Sequence, residues 1–338
     1  MKIEEAIVYV IAQRNGKKIL ILAGKAHPKV VREDNYFGFQ SFFITFIASN
    51  NLWTMDTKHN ITRCYLEITN VCNLNCVCCP KTTRKKHMMT QEEFDTLTTH
   101  LAGAVKFLYF HLMGEPFLHP HLPQFIHKAR NKGFIPVVTT NGTVLSQRSD
   151  MLDTLPHKLQ ISLHSHEGNN KDNPQQYIDE VMTFSQEAAR RGCIVVLRLW
   201  NEGGHSQMND SILRMIADYQ PQPWTSRNDG WKLADNLFIE NDNMFDWPDL
   251  QKKSYADEEV FCYALRNQIG ILVDGTVVPC CLYHGGNLSL GNLFEQSLDH
   301  ILSSPRALAI YRGFTNHIAV ESLCQRCGYA AIAKRFRK

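Results

Sequence analysis

The sequence predicts an α/β protein: a partial (β/α)6 TIM-like barrel, preceded by an extra N-terminal segment and followed by a small C-terminal domain. Three observations lead there. Short apolar runs alternate with amphipathic stretches from residue 64 to about residue 240, the pattern of parallel βα units. Beyond residue 261 that alternation gives way to a hairpin pattern and paired cysteines. The first 54 residues match neither part. With 338 residues, 44% of them hydrophobic, the chain can bury one large core and a lesser one.

The expected boundaries are 1–54, 55–250 and 251–338. In the first segment, Asn15-Gly16 between the apolar runs 7–12 and 18–23 signals a tight hairpin. The aromatic stretch after Asn35 has no assigned role, and Met55 is a candidate start of the functional unit. In the barrel, strands are expected at 64–69, 106–113, 135–140, 158–164, 194–200 and 237–240. Thr90, with Glu92 and Glu93 in the first turn, opens a helix through Phe94, Leu97 and Leu101. Helices are also expected at 123–132, stopped by Gly133, and at 174–191, stopped by Gly192. In the last segment, Asp274-Gly275 turns a hairpin over 268–281, and one helix follows over 294–312.

Composition narrows the function. Lys and Arg number 36 against 33 acidic residues, too even a balance to indicate nucleic acid or an anionic membrane. The longest apolar-rich run, 36–48, is interrupted by Gly38, Gln40 and Ser41 and is shorter than the ~20 residues of a spanning helix. No basic, apolar leader opens the chain, so reduced thiols and a cytoplasmic location are expected. There are eleven cysteines, an odd number, and seven fall into two metal-type groups, which favours metal ligation over disulfides.

In parallel βα sheets ligands bind at the carboxyl ends of the strands. There the sequence places Asn70-Val71-Cys72, Gly114-Glu115-Pro116, Asn141-Gly142, Ser165 and Asn201-Glu202, in strand order. Cys72, Cys76 and Cys79 offer three thiolates, enough for three irons of a [4Fe–4S] cube. The fourth iron would then be open to a substrate or cofactor. The plainer readings are a zinc site, which usually takes four ligands, or packing cysteines. Cys78 adjoins Cys79, and the CxxC step from Cys76 selects Cys79. A second group, Cys262, Cys280, Cys324 and Cys327, forms a complete set for a second cube or a zinc ion, and would staple a segment whose core is thin. Cys64, Cys193 and Cys281 lack partner spacing and are expected to pack.

The CxxxCxxC triad together with Met113-Gly114-Glu115-Pro116, in which Met113 stands at the first glycine of a GGEP motif, resembles the radical SAM superfamily from about residue 64 to the C-terminus. The resemblance implies that the open iron chelates S-adenosylmethionine, whose cleavage gives a 5′-deoxyadenosyl radical. It implies that Glu115 accepts from the methionine ammonium, that Ser162 and His164 meet the ribose, and that Thr140 and Asn141 line the pocket. Arg198 would pair with the methionine carboxylate, or equally is a strand residue facing the barrel mouth with some other acidic partner. Cys78 stands where an aromatic residue is common. The Cys-x12-Gly-x4-Cys run from Cys262 through Gly275 to Cys280 resembles the SPASM and twitch extensions, which hold an auxiliary [4Fe–4S] cluster. With no cysteine after Cys327, the one-cluster twitch form fits better.

The implied activity is oxidation or cross-linking of a small metabolite or peptide, with an electron donor such as flavodoxin or ferredoxin. Alternatives are an RNA-modifying enzyme, suggested only by the basic runs 83–87 and 334–338, and a two-cluster electron carrier or zinc protein. Neither of the last two explains three ligands in the first group. The run 83–87 reads first as a solvated loop and second as an anion receptor. His111, His119, His121 and His284 are acid or base candidates, none of them assigned.

Overall fold

The computed structural model describes residues 60–169, 173–254 and 259–332, and the backbone of three strands nearer the N-terminus. Met1–Thr57 and Lys58–Lys338 form two compact units. In the first, β1 (Ile7–Arg14), β2 (Lys17–Ala23) and β3 (Pro28–Arg32) make an antiparallel meander. Arg14 pairs with Lys17, so two residues connect these strands, as expected of Asn-Gly. Asn15-Gly16 itself, the aromatic stretch after Asn35 and Met55 lie outside the described residues.

The second unit is built on β4 (Arg63–Leu66), β5 (Phe107–Tyr109), β6 (Ile135–Thr140), β7 (Lys158–Ser162) and β8 (Ile194–Glu202), all parallel and in that order. Helices α1 (Gln91–Leu101), α2 (Leu122–Asn131), α3 (His164–Glu167), α4 (Pro174–Arg190) and α5 (Asn209–Tyr219) connect or follow these strands. Thr90 caps α1 in a capping box with Glu93, as the sequence signals. The strands β9 (Thr225–Arg227) and β10 (Gly230–Ala234) form an edge hairpin unforeseen from sequence, and β11 (Leu237–Asn243) lies parallel to β8.

Strand alternation divides the side chains. Leu159 and Ile161, and Val195, Leu197 and Leu199, are buried apolar residues, whereas Gln160, Ser162, Arg198 and Trp200 take the opposite face. Phe110 meets Phe94 of α1 edge-on at 5.7 Å, so the helices cover its face and the neighbouring Tyr109 and His111 point to the other. That second, polar face is the inner face of the sheet. Ser162, Arg198 and Glu240 form one row across it.

The C-terminal segment continues the same sheet. β12 (Gln268–Ile271) lies parallel beside β4, and β13 (Thr276–Val278) and β14 (Gly291–Asn292) follow antiparallel. The expected helix over 294–312 is interrupted: α6 (Leu298–Leu302) ends before α7 (Pro305–Thr315), and α8 (Gly328–Ile332) closes the described chain. Pro305 cannot donate to the preceding turn, and Ser304 caps a new helix by accepting from Ala307 N–H at 3.3 Å.

Candidate active site

The loop after β4 carries the triad. Cys79 N–H donates to the Cys76 carbonyl at 3.1 Å, closing a turn that brings the two thiols together. Cys72 feels both Cys76 and Cys79 electrostatically, so the three sulfurs share one neighbourhood. Burial pushes the Cys72 and Cys79 thiols up. Cys76 is held down to about 6, chiefly by a hydrogen bond from Cys78 and further by one from Asn169. Cys72 is exposed and Cys76 and Cys79 half-buried, which leaves the group reachable from one side. Among the described residues no three Cys, His, Asp or Glu side chains converge on a single-ion position. The donor set fits a cube, which takes each thiolate on a different iron and benefits from N–H donors to sulfur.

Glu115 sits beside this loop, buried to 2% exposure. Its Oε1 accepts from Phe117 N–H at 2.9 Å and Thr140 Oγ1 at 2.7 Å, and its Oε2 from Asn141 N–H at 2.7 Å. Burial still pushes the carboxyl up to about 7. Gly114 adopts φ +80, and a Cβ there would collide with the Thr69 carbonyl oxygen and lie 2.9 Å from its carbon. Only glycine fits. Met113 has no positive φ, and its N–H donates to Glu67 at 3.2 Å, so a side chain is tolerated where the motif has its first glycine. Pro116 opens the short 3₁₀ turn Pro116–Leu118 that Glu115 caps.

The remaining expected site residues divide into two groups. Thr140 and Asn141 face Glu115 and the triad: Asn141 Nδ2 donates to Asn73 Oδ1 at 2.9 Å and lies 4.0 Å from Cys72 Sγ. Ser162, His164 and Arg198 lie further along the inner face. His164 Nδ1 lies 3.2 Å from the Arg198 carbonyl and 3.3 Å from Trp200 N, and burial lowers its pKa to about 4. The Arg198 guanidinium lies 3.9 Å from the Trp200 ring centre and 3.8 Å from Glu240, and its Nε has no hydrogen-bond partner among the described residues. Its other electrostatic neighbours are Tyr65, Tyr109 and Cys281. Tyr65 stacks on Tyr109 at 4.7 Å, and His111 meets Tyr65 edge-on at 5.3 Å.

Cys262, Cys280, Cys324 and Cys327 come together from three separated stretches. Cys280 senses the other three, and Cys324 senses Cys262 and Cys327. Burial raises all four thiols, Cys262 to about 12. Buried thiols within electrostatic range of one another repel as thiolates, and a cationic centre would allow such a set to ionise, although no three of them converge on a single-ion position among the described residues. Cys281, expected to pack, lies against the core within electrostatic range of Tyr65, Cys327 and Arg198.

In the run 83–87, Thr83, Lys85 and Lys86 are exposed, as expected of a solvated loop, while Arg84 turns inward. Arg84 Nη2 donates to the fully buried Glu67 at 2.7 Å and its Nε to the His284 carbonyl at 2.9 Å. Glu67 also accepts from Met113 N–H and Val273 N–H, each at 3.2 Å. Lys86 Nζ donates to the Asn70 carbonyl at 3.0 Å. Sequence reasoning missed this pair, and it missed Asn169, whose Nδ2 donates to Cys76 Sγ at 3.0 Å. No local signal marks either.

Residues 66–205 match the radical SAM superfamily and residues 262–328 match SPASM, an iron–sulfur cluster-binding domain; together the matches cover more than half of the chain. The chain belongs to the radical SAM superfamily and carries a SPASM-type domain. Its cofactors are therefore a [4Fe–4S] cluster and S-adenosylmethionine, with further iron–sulfur binding in the SPASM domain. A curated relative, the tungsten-containing aldehyde ferredoxin oxidoreductase cofactor-modifying protein of Pyrococcus furiosus, is 36% identical over 90 residues, spanning only 24% of either chain. SuiB of Streptococcus suis bound to S-adenosylmethionine superposes with a TM-score of 0.53 at 13% identity, over 82% of this chain and 76% of that one. Native anSMEcpe with bound AdoMet and a Cp18Cys peptide gives 0.51 at 13% identity, over 79% and 86%. These structures share the fold, a parallel partial barrel. Among the described residues no helix is long and apolar enough to cross a membrane.

Proposed function

We propose that the protein is an oxidoreductase that oxidises or otherwise modifies a small metabolite or a peptide side chain by radical chemistry, with one auxiliary [4Fe–4S] cluster in its C-terminal segment. One observation carries this reading: a three-thiol group in the loop after β4 and a four-thiol group drawn from before β12, after β13 and the C-terminal turn belong to one continuous sheet. The chemistry the bound groups supply is hydrogen-atom abstraction by a 5′-deoxyadenosyl radical at the first site and one-electron acceptance at the second, together a two-electron oxidation.

In this reading Cys72, Cys76 and Cys79 hold three irons, and Cys262, Cys280, Cys324 and Cys327 hold the auxiliary cluster. Glu115 receives the methionine ammonium through the lone pair left after its three donors. His164 Nδ1 is engaged by the β8 backbone, between the Arg198 carbonyl at 3.2 Å and Trp200 N–H at 3.3 Å, which leaves Nε2, with Ser162, for a ribose. Arg198 presents a guanidinium to a carboxylate at the inner face, and Tyr65, Tyr109 and Trp200 keep water from it. A flavodoxin or ferredoxin supplies the reducing electron.

The test is anaerobic reconstitution followed by reduction with S-adenosylmethionine present. The expected outcome is 5′-deoxyadenosine and about eight irons per chain. Absence of cleavage refutes the enzyme reading, and zinc or only about four irons refutes the auxiliary cluster. Neighbouring genes for a short precursor peptide would favour the peptide arm.

A further inference from the structure

The turn after α3 grips the triad loop on both sides of Cys76. Val77 N–H donates to the Gly168 carbonyl at 3.1 Å, and Asn75 N–H donates to Asn169 Oδ1 at 2.7 Å. Gly168 lies in van der Waals range of Cys76, a Cβ there being 3.7 Å from Cys76 Cβ. Between these two clasps, Asn169 Nδ2 has one N–H for the Ser165 carbonyl at 2.6 Å and one for Cys76 Sγ at 3.0 Å. The amide cannot be turned over, because Asn75 N–H requires the oxygen at its own end. Both N–H groups of the Asn169 amide are thereby committed, and one of them is aimed at a sulfur.

We infer that Asn169 is a positioning residue that sets the reduction potential of the three-thiol site through its N–H···S bond to Cys76, with Asn141 acting more weakly at Cys72. A donor to a ligand sulfur stabilises the added negative charge of the reduced cluster, so it raises the potential and holds the ligand in place. The two bonds differ in length, 3.0 Å at Cys76 against 4.0 Å at Cys72. The effects of the two asparagines should therefore be ordered. The inference rests on Cys76 as an iron ligand, and that premise falls separately if Cys76→Ala keeps its full iron content.

The experiment compares Asn169→Asp, Asn169→Leu and Asn141→Asp in the reconstituted full chain. Asn169→Asp keeps an oxygen for Asn75 N–H but adds a charge that lowers the potential by itself, so the uncharged Asn169→Leu reads the loss of the donor and Asn169→Asp the retention of the loop clasp. In an EPR-monitored reductive titration, the cluster whose signal changes on adding S-adenosylmethionine should move to a more negative midpoint in both Asn169 variants and less in Asn141→Asp. The auxiliary signal should not move. Iron release from the same site to a chelator should quicken by about 10-fold or more. A fully loaded Asn169→Leu chain with an unchanged midpoint overturns the inference, as does an equal shift of both signals. If a variant loads poorly, retention of auxiliary iron alone supports the positioning role, and loss at both sites overturns it.

Discussion

Replacing Arg84 by Met tests whether one ion pair fastens both cysteine loops. Glu67 is fully buried and Arg84 is 14% exposed. Around this pair meet the triad loop through Arg84, β4 through Glu67, the Gly114-Glu115 turn through Met113, the C-terminal hairpin through Val273, and the loop after Cys281 through His284. Removing one partner of a buried pair leaves an uncompensated charge and costs about 3–5 kcal/mol. At about 1.4 kcal/mol per decade that is roughly two to three and a half decades in the unfolding constant.

The pH dependence has a definite sign. Burial already raises the Glu67 carboxyl, and Arg84 provides the largest opposing pull. Without Arg84 the folded pKa rises further above the unfolded value. A group raised on folding contributes stability below its unfolded pKa and loses it as pH climbs through the folded one. The deficit of Arg84→Met should therefore be smallest near about pH 4.5 and grow toward pH 8. Urea unfolding followed by circular dichroism at both pH values measures it, and hydrogen exchange should quicken together at Met113, Val273 and the segment beside His284. The double variant Glu67→Gln with Arg84→Met removes both charges and keeps one acceptor, so it should recover much of the loss. A deficit under about 1 kcal/mol, independent of pH, would refute the fastening role and class the pair with exposed ones.

Gly114→Ala should displace Glu115, because φ +80 is strained for alanine and its Cβ would meet the Thr69 carbonyl. Equilibrium dialysis should show S-adenosylmethionine binding weakened by about 10-fold or more, since strain of about 1–3 kcal/mol must be relieved by moving the turn; unaltered affinity counts against the assignment of Glu115. Cys324→Ala should lower iron from about eight to about four per chain while 5′-deoxyadenosine formation without substrate persists, and unchanged iron would remove Cys324 from the ligand set. His164 keeps a pKa near about 4 through burial, so the fold favours its neutral form; that contribution is full above the unfolded 6.5 and is lost as pH falls toward 4. His164→Gln should flatten the acid limb of the stability profile, and an unaltered limb would place its titration elsewhere.

Much of the molecule was legible along the chain. The six parallel strands, the capped helix at Thr90 and the stops at Gly133 and Gly192 rest on period and capping, which neighbouring residues determine among themselves. The CxxxCxxC step and the Cys-x12-Gly-x4-Cys run are likewise local spacings, and they sufficed to identify the family and its cofactors. The interrupted helix before Pro305 is a local feature that an apolar period alone passes over.

What only the tertiary structure decided are the partnerships that depend on the register of distant segments. Asn169 reaches Cys76 across 93 residues, and Glu67 meets Val273 across 206. An asparagine in a turn, or an arginine in a basic run, carries no mark of such a partner in its own neighbourhood. Pairing of β12 with β4 brings the hairpin to Glu67, and α3 brings Asn169 to the triad loop. The sequence by itself set the cysteines in two spacing groups and identified the family and its cofactors. The fold determined which buried donors hold those sulfurs, because desolvated polar groups must find partners wherever strand order delivers them.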